Sequence, residues 1–258
     1  MTWDGSPVIR FLSESLKRPL SIRIDTDNIA RLSDVATDVA EPITSEIALW
    51  HQALGQREVV NVELRYRSTA LPTYDITRLI RSIYSAFRLA SCELRAVLEH
   101  EALDPSALAL LKGLGFSHCQ FEVGDTQSLN LPALTQAVSS ARHFNFQRVG
   151  VQIVRSGKVE ELTHIIREIK QSLSPDYIFI GTNTYKVPTI DSNSMFTLFE
   201  DDIDENNLDH LALGPSAKSD VQGRAFDTLS DAQRYLSALQ KNQLPLIETS
   251  FPCSNSSC

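Results

Sequence analysis

The sequence predicts an α/β fold in which parallel strands are joined by helical crossovers. Strand-like and helix-like apolar patterns alternate from Leu20 to Ile180. Each gap between strand-like runs leaves room for one helix, the connection that a parallel pair requires. Apolar residues make up 42% of the 258 residues, and a chain of this size buries roughly three quarters of its unfolded surface. Six such strand–helix units suit either an open doubly wound sheet or a partial barrel, and hydrophobic pattern alone does not separate the two.

Leu20–Asp25 reads as the first strand. Ile43, Ile47, Trp50 and Leu54 then share one helical face, and Gly55 is placed to end that helix. Valine-rich Val59–Leu64 is the second strand, and Ile76, Leu79, Ile80, Ile83 and Phe87 form the next helical stripe. Cys92–Leu98 is the third strand. Asp104-Pro105 combines an acidic cap with a proline in the first turn, so a helix carrying Leu108, Leu110 and Leu111 starts there and closes at Gly113 or Gly115. In His118–Val123 alternation places Cys119, Phe121 and Val123 on one face. Leu134, Ala137, Val138, Ala141 and Phe144 mark a further helix, and Val149–Val154 the fifth strand. Leu162, Ile165, Ile166, Ile169 and Leu173 mark the helix that leads to Tyr177–Ile180, the sixth strand. Asn183–Asn207 then mixes polar, acidic and turn residues. Leu211–Ala217 and a helix capped by Ser230, carrying Leu236 and Leu239, follow it.

The formal net charge is −8. No basic face able to release counterions from phosphates is evident, so no nucleic-acid partner is expected. No run approaches the ~18 apolar residues of a membrane span, so no membrane partner is expected. Met1–Arg10 lacks the basic-then-apolar layout of a secretory leader, which points to a cytoplasmic location. Glu200, Asp201, Asp202, Asp204, Glu205 and Asp209 hold much of the acidic excess. They lack the glycine and spacing of a calcium loop and read as a solvated segment. Cys92 and Cys119 fall in apolar strand-like runs and read as buried structural thiols, whereas Cys253 and Cys258 lie in a Ser/Asn-rich tail that reads as frayed. His51, His143 and His164 read as helix-surface residues. No histidine shows metal-ligand spacing, so no metal site is expected.

Three stretches carry a resemblance. They are Arg18-Pro19-Leu20-Ser21-Ile22, then Pro72-Thr73-Tyr74 through Glu93 to Gly115-Phe116, then Leu213-Gly214-Pro215-Ser216-Ala217-Lys218-Ser219. Gly223-Arg224 and a helix ending near Leu244-Pro245 follow the last. In order and spacing these resemble the oxygen-independent coproporphyrinogen III oxidases, a radical S-adenosylmethionine (SAM) family. The resemblance implies a partial (β/α)6 barrel of the radical SAM type, open on one side, with a short C-terminal αβ extension. It divides the chain into the partial barrel over 1–185, an acidic loop over 186–209, an extension over 210–248 that closes the barrel, and a disordered tail over 249–258.

The departures from the family bear on function. Family members carry three cysteines, spaced C-x3-C-x2-C, in the loop after the first strand. These hold three irons of a [4Fe–4S] cluster, and SAM sits on the fourth. Here that stretch is Asp25-Thr26-Asp27-Asn28-Ile29-Ala30-Arg31-Leu32, without cysteine or histidine. The hard carboxylates of Asp25 and Asp27 are poor substitutes for thiolates. The family's glycine run after the second strand is replaced by Arg65-Tyr66-Arg67-Ser68-Thr69-Ala70-Leu71, its strand-three glutamate by Val97, and its Gly-Leu-Pro after the fifth strand by Arg155-Ser156-Gly157. The chain is therefore identified as a degenerate member, with no [4Fe–4S] cluster, SAM or other cofactor expected and no catalytic residue assigned.

Ligands bind β/α barrels at the carboxyl ends of the strands. That rule gathers Asp25, Asp27, Arg65, Arg67, Glu99, His100, Glu122, Asp125, Arg155, Asn183 and Tyr185. The candidate ligand residues are Arg65, Arg67, Glu99, Glu122 and Arg155, joined by Lys218 and Arg224 of the extension. Two readings are open: the arginines form a pocket for carboxylates, tetrapyrrole propionates among them, or the charges pair with one another across a vacated pocket. His100 beside Glu99 suits acid–base work only if a nucleophile or ligand motif accompanies it, and none does. The resulting expectation is a catalytically silent pseudoenzyme of porphyrin metabolism that acts as partner or regulator of another protein. A heme or porphyrin carrier and an enzyme of cluster-independent chemistry are the alternatives.

Overall fold

The computed structural model describes residues 18–67, 71–89, 91–100, 103–124, 129–153, 159–173, 175–180, 183–186, 197–198 and 207–247. Met1–Arg10, Asp125, Arg155-Ser156-Gly157, the acidic run Glu200–Glu205 and the Cys253–Cys258 tail lie outside them, as do the side chains of Leu162, Asn183 and Tyr185. In chain order the elements are β1 (Leu20–Asp25), α1 (Thr26–Ala30), α2 (Ala40–Leu54), β2 (Val59–Tyr66), α3 (Thr73–Ala86), β3 (Glu93–Glu99), α4 (Pro105–Gly113), β4 (His118–Val123) and α5 (Leu131–His143). They continue with β5 (Arg148–Ile153), α6 (Val159–Leu173), β6 (Tyr177–Ile180), β7 (Asn183–Lys186), β8 (Thr197–Leu198), β9 (Asp209–Leu213), β10 (Lys218–Val221), β11 (Arg224–Asp227) and α7 (Ala232–Gln240).

The strands form one 11-stranded sheet in the order β11-β10-β9-β1-β2-β3-β4-β5-β6-β7-β8. From β1 to β6 each strand pairs in parallel with the next in sequence. Right-handed crossovers that always step in the same direction place every helix on the same face. The sheet is thus singly wound, as in a barrel, which decides between the two readings that hydrophobic pattern left open. It does not close. The β1 edge continues into β9, and the β6 edge into antiparallel β7 and β8.

Local chemistry fixes most helix ends. The Asp38 carboxylate accepts the Ala40 and Glu41 N–H groups at the start of α2, and Arg78 of α3 holds that carboxylate below its usual range. Gly55, at φ 69°, closes α2. Asp104 caps α4 through Ser106 N–H at 2.9 Å, as its sequence position suggests. Helix α7 corrects its sequence reading. Its cap is Asp231, which accepts the Arg234 N–H at 2.8 Å, and it ends at Gln240. Ser230 stands one residue too early to reach that donor. Strand β2 also runs two residues further than its apolar pattern, to Tyr66, and β3 spans Glu93–Glu99. Arg65 and Glu99 are therefore strand residues. His51, read as a surface residue, is half-buried with its ring edge-on to Phe87 at 5.8 Å.

The extension joins the sheet through β9, which lies parallel to β1 from Leu20↔Asp209 to Ile24↔Leu213. A buried ion pair fixes its first residue. Arg57 Nη2 is 2.6 Å from Asp209 Oδ2, with both side chains 1% exposed. Arg57 also donates to the Arg18 carbonyl, and the other Asp209 oxygen accepts the Gln222 N–H at 2.8 Å. Gln222 and Gly223, at φ 60° and 72°, make the two-residue turn between β10 and β11, whose twist suits a hairpin.

Removing one partner of a buried pair leaves an uncompensated charge, at a cost of about 3–5 kcal/mol. Asp209→Ala is expected to lower the unfolding free energy by that amount in urea titration. A loss below about 1 kcal/mol would mean that the pair is no more than a surface contact.

Candidate functional site: a self-paired barrel mouth

Because the helices cover one face of the sheet, strand residues alternate between two environments. In β1, Leu20, Ile22 and Ile24 are fully buried on the helical side, and Ser21, Arg23 and Asp25 occupy the bare inner face. The same parity brings Asn61, Glu63 and Arg65 of β2 inward, then Arg95, Val97 and Glu99 of β3, then His118, Gln120 and Glu122 of β4. Register aligns these into cross-strand rows, Arg23–Glu63–Arg95 in one and Asp25–Arg65–Val97–Gln120 in the next.

Opposite charges meet within and between the rows. Glu63 Oε1 lies 3.0 Å from Arg23 Nε and 3.5 Å from Arg65 Nε. Arg65 Nη1 lies 3.3 Å from Glu122 Oε2, and its Nη2 donates to Gln152 Oε1 at 3.3 Å. Gln152 Oε1 also accepts from Gln120 Nε2 at 2.7 Å, and Gln120 Oε1 accepts the Tyr177 hydroxyl at 3.2 Å. The Tyr177 ring crosses the inner face of β5 where a Cβ on Gly150 would come within 2.3 Å of it. A side chain at position 150 would displace that ring, which explains a glycine inside a strand.

The mouth is a cavity of about 30 Å³, lined by Asp25, Asp27, Arg65, Tyr66, Arg67, Val97, Leu98, Glu99 and Glu122. Arg67 bridges its rim, with Nε 2.9 Å from Asp27 Oδ2 and 3.0 Å from Glu99 Oε1. The Arg67 main-chain N–H donates to Thr26 Oγ1 at 3.0 Å, which ties α1 to the end of β2. Burial raises the Asp27 carboxyl above its usual range, a larger effect than the opposing pull of Arg67.

The other sequence candidates take different places. His100 Nδ1 lies 3.0 Å from the Glu122 carbonyl, which fixes that nitrogen as the donor, and the ring is buried. His118 lies at the amino end of β4, where burial lowers its pKa to about 4 and keeps the ring neutral against Glu93 at 3.5 Å. Lys218 and Arg224 are exposed on β10 and β11 and do not line the mouth. Arg155 and Asp125 lie outside the described residues. Glu63, Gln120 and Gln152, which complete the lattice, were not singled out by the carboxyl-end rule, because they sit within strands. The alternation of β1 (LSIRID) and β2 (VVNVELRY) is the signal that reveals such positions.

No protein-family model matches the sequence, and no curated protein does. Among solved structures, coproporphyrinogen III oxidase (HemN) from Escherichia coli, a radical SAM enzyme, matches with a TM-score of 0.69 at 14% identity, over 94% of this chain and 74% of that one. The fold is radical SAM-like. At that identity the likeness extends to the fold alone. The FeFe-hydrogenase maturase HydG from Carboxydothermus hydrogenoformans is far less similar in shape (TM-score 0.36, 12% identity, 92% of this chain and 55% of that one). The same holds for the HpcH/HpaI aldolase from Desulfitobacterium hafniense DCB-2 (0.34, 12%, 64% and 62%).

On a radical SAM-like fold the segment after β1 is where a cluster would be held, and its residues do not fit one. Asp25 is turned inward as the cap of α1, its carboxylate accepting the Asp27 N–H at 2.9 Å. Ile29 and Leu32 are fully buried in the core, so the segment is a packed short helix and turn. Neither described cysteine stands at the mouth. Cys92 precedes the opposite end of β3, with burial raising its thiol to about 12, and Cys119 of β4 is buried on the helical side, its thiol also raised by burial. Both are protonated at neutral pH, which is the inert state of a thiol. Val97 lines the cavity.

The lattice distinguishes its two arginines. Arg67 is 47% exposed and Arg65 32%. Loss of an exposed pair costs up to about 1 kcal/mol, whereas stripping several charge-assisted bonds from a half-buried group costs about 1.5–3 kcal/mol. Arg65→Ala is therefore expected to destabilise the fold more than Arg67→Ala in parallel urea titrations, and the reverse order would contradict the lattice.

Proposed function

We propose that this chain is a catalytically silent relative of the coproporphyrinogen III oxidase type, acting on another protein as partner or regulator rather than through radical chemistry. The observation that carries the reading is the segment after β1. It offers no thiolate or imidazole, and it is folded as a capped helix with Ile29 and Leu32 in the core. The arginines supply further support, because Arg65 and Arg67 are already held by Glu63, Glu122, Asp27 and Glu99. An incoming propionate would have to displace a carboxylate from each, so the tetrapyrrole-carrier reading finds no vacant cation in this lattice. The enzyme alternative finds no serine, threonine or cysteine among the described residues that line the mouth.

Anaerobic reconstitution with iron and sulfide, read by visible absorbance and iron analysis, tests the reading. The expected result is no stoichiometric cluster. A stoichiometric cluster with broad absorbance in the blue would overturn it. Titration with heme or coproporphyrin is expected to give no saturable spectral shift at micromolar ligand, and a saturable shift would favour the carrier.

A further inference from the structure

Glu46 lies on α2 and is completely buried where α2 meets the turn after β9 and helix α7. Its Oε2 accepts the Gly214 main-chain N–H at 2.9 Å and the Tyr235 hydroxyl at 2.6 Å, while Oε1 accepts the Trp50 indole N–H at 3.4 Å. Trp50 in turn meets Phe226 of β11 edge-on at 6.2 Å. One carboxyl thus joins α2 both to the turn after β9 and to helix α7 of the C-terminal unit. It plays no part in the mouth lattice.

All three donors are neutral. The other buried carboxylate on this seam, Asp209, has Arg57 against it, whereas among the described residues Glu46 meets no cation. The groups around Glu46 are engaged elsewhere or exposed. Tyr235 is the titratable group in contact with it, and burial and the carboxyl together raise the phenol well above its usual range. Past α1, Arg31 donates to Ser216 Oγ at 3.1 Å. On α2, His51 meets Phe87 edge-on and Glu41 is exposed. On β9, His210 faces the inner side of the sheet opposite Ser21. On β10 and β11, Lys218, Asp220 and Arg224 are exposed and Asp227 is half-buried, and Arg234 of α7 is exposed. Burial raises the Glu46 pKa to about 7, and the three donors oppose that shift only in part.

We propose that Glu46 is a proton-operated clamp on the C-terminal unit: protonated, it holds the turn after β9 and helix α7 against α2, and ionised, it releases them. The direction follows from linkage. A carboxyl that binds its proton more tightly when buried than when exposed favours the closed seam at low pH. That preference fades as pH rises from the ordinary carboxylate range to about 7. Opening exposes the carboxylate to water, so the opening constant of the unit grows with pH, roughly tenfold from pH 6 to pH 8. Because Arg31 ties the end of α1 to Ser216, release of the turn also slackens the α1 side of the mouth.

Hydrogen exchange read by mass spectrometry on the full chain, corrected for the intrinsic rate at each pH, tests the clamp. In the wild type, opening of segments within 209–247 is expected to rise roughly tenfold from pH 6 to pH 8 while β3 to β5 stay unchanged. In Glu46→Gln, which cannot ionise, the rise is expected to vanish. If that variant does not fold, Tyr235→Phe decides. It removes a donor to the carboxylate and is expected to extend the rise to higher pH. A flat wild-type profile, an undiminished rise in Glu46→Gln, or an unmoved rise in Tyr235→Phe would each overturn the proposal.

Discussion

A charge removed from water must find an opposite charge, and the inner face of this sheet is built under that constraint. Crossovers of one hand leave the face without helices, and period-two alternation fills it with arginines, glutamates and glutamines. At ~4 Å an ion pair attracts by about 1 kcal/mol in water and about 4 kcal/mol at the effective dielectric of a protein surface. The half-buried rows therefore gain more from pairing than the rim does. Glu63 serves two arginines, Arg65 reaches Glu63, Glu122 and Gln152, and Arg67 joins two carboxylates across the opening. The mouth is narrow because its own side chains satisfy one another within it.

The C-terminal unit is attached by two buried polar contacts of different character. At the amino end of β9, Asp209 is neutralised by Arg57. At the carboxyl end, Glu46 receives only neutral donors among the described residues. Burial raises the carboxyl of the second contact to about 7. One strand is thus held firmly at its start and conditionally at its end.

Much of the architecture was legible in the sequence. The strand–helix alternation, Gly55 and Asp104-Pro105 marked elements because each rests on local chemistry. Boundaries failed where a polar residue continues a strand. Arg65 ends no apolar run, yet it pairs in register with Asp25 and Val97. The carboxyl-end rule found Arg65, Arg67, Glu99 and Glu122, and register brings all four to the mouth. The family resemblance, not that rule, suggested Lys218 and Arg224, and they lie on strands beyond β9. Glu46 and the Arg57–Asp209 pair were invisible because they depend on contacts across more than a hundred residues, which no local pattern encodes.

A radical SAM-like fold with a cysteine-free segment after β1 separates scaffold from chemistry. The segment is occupied by a capped helix, and the cavity by ion pairs, so the likeness to HemN describes shape and leaves function to this chain's own residues. The most direct measurement is reductive cleavage of SAM by the purified protein, kept free of air and supplied with iron, sulfide and a low-potential reductant. No cleavage above the protein-free control is the result this reading requires. Multiple turnovers of cleavage product would contradict it.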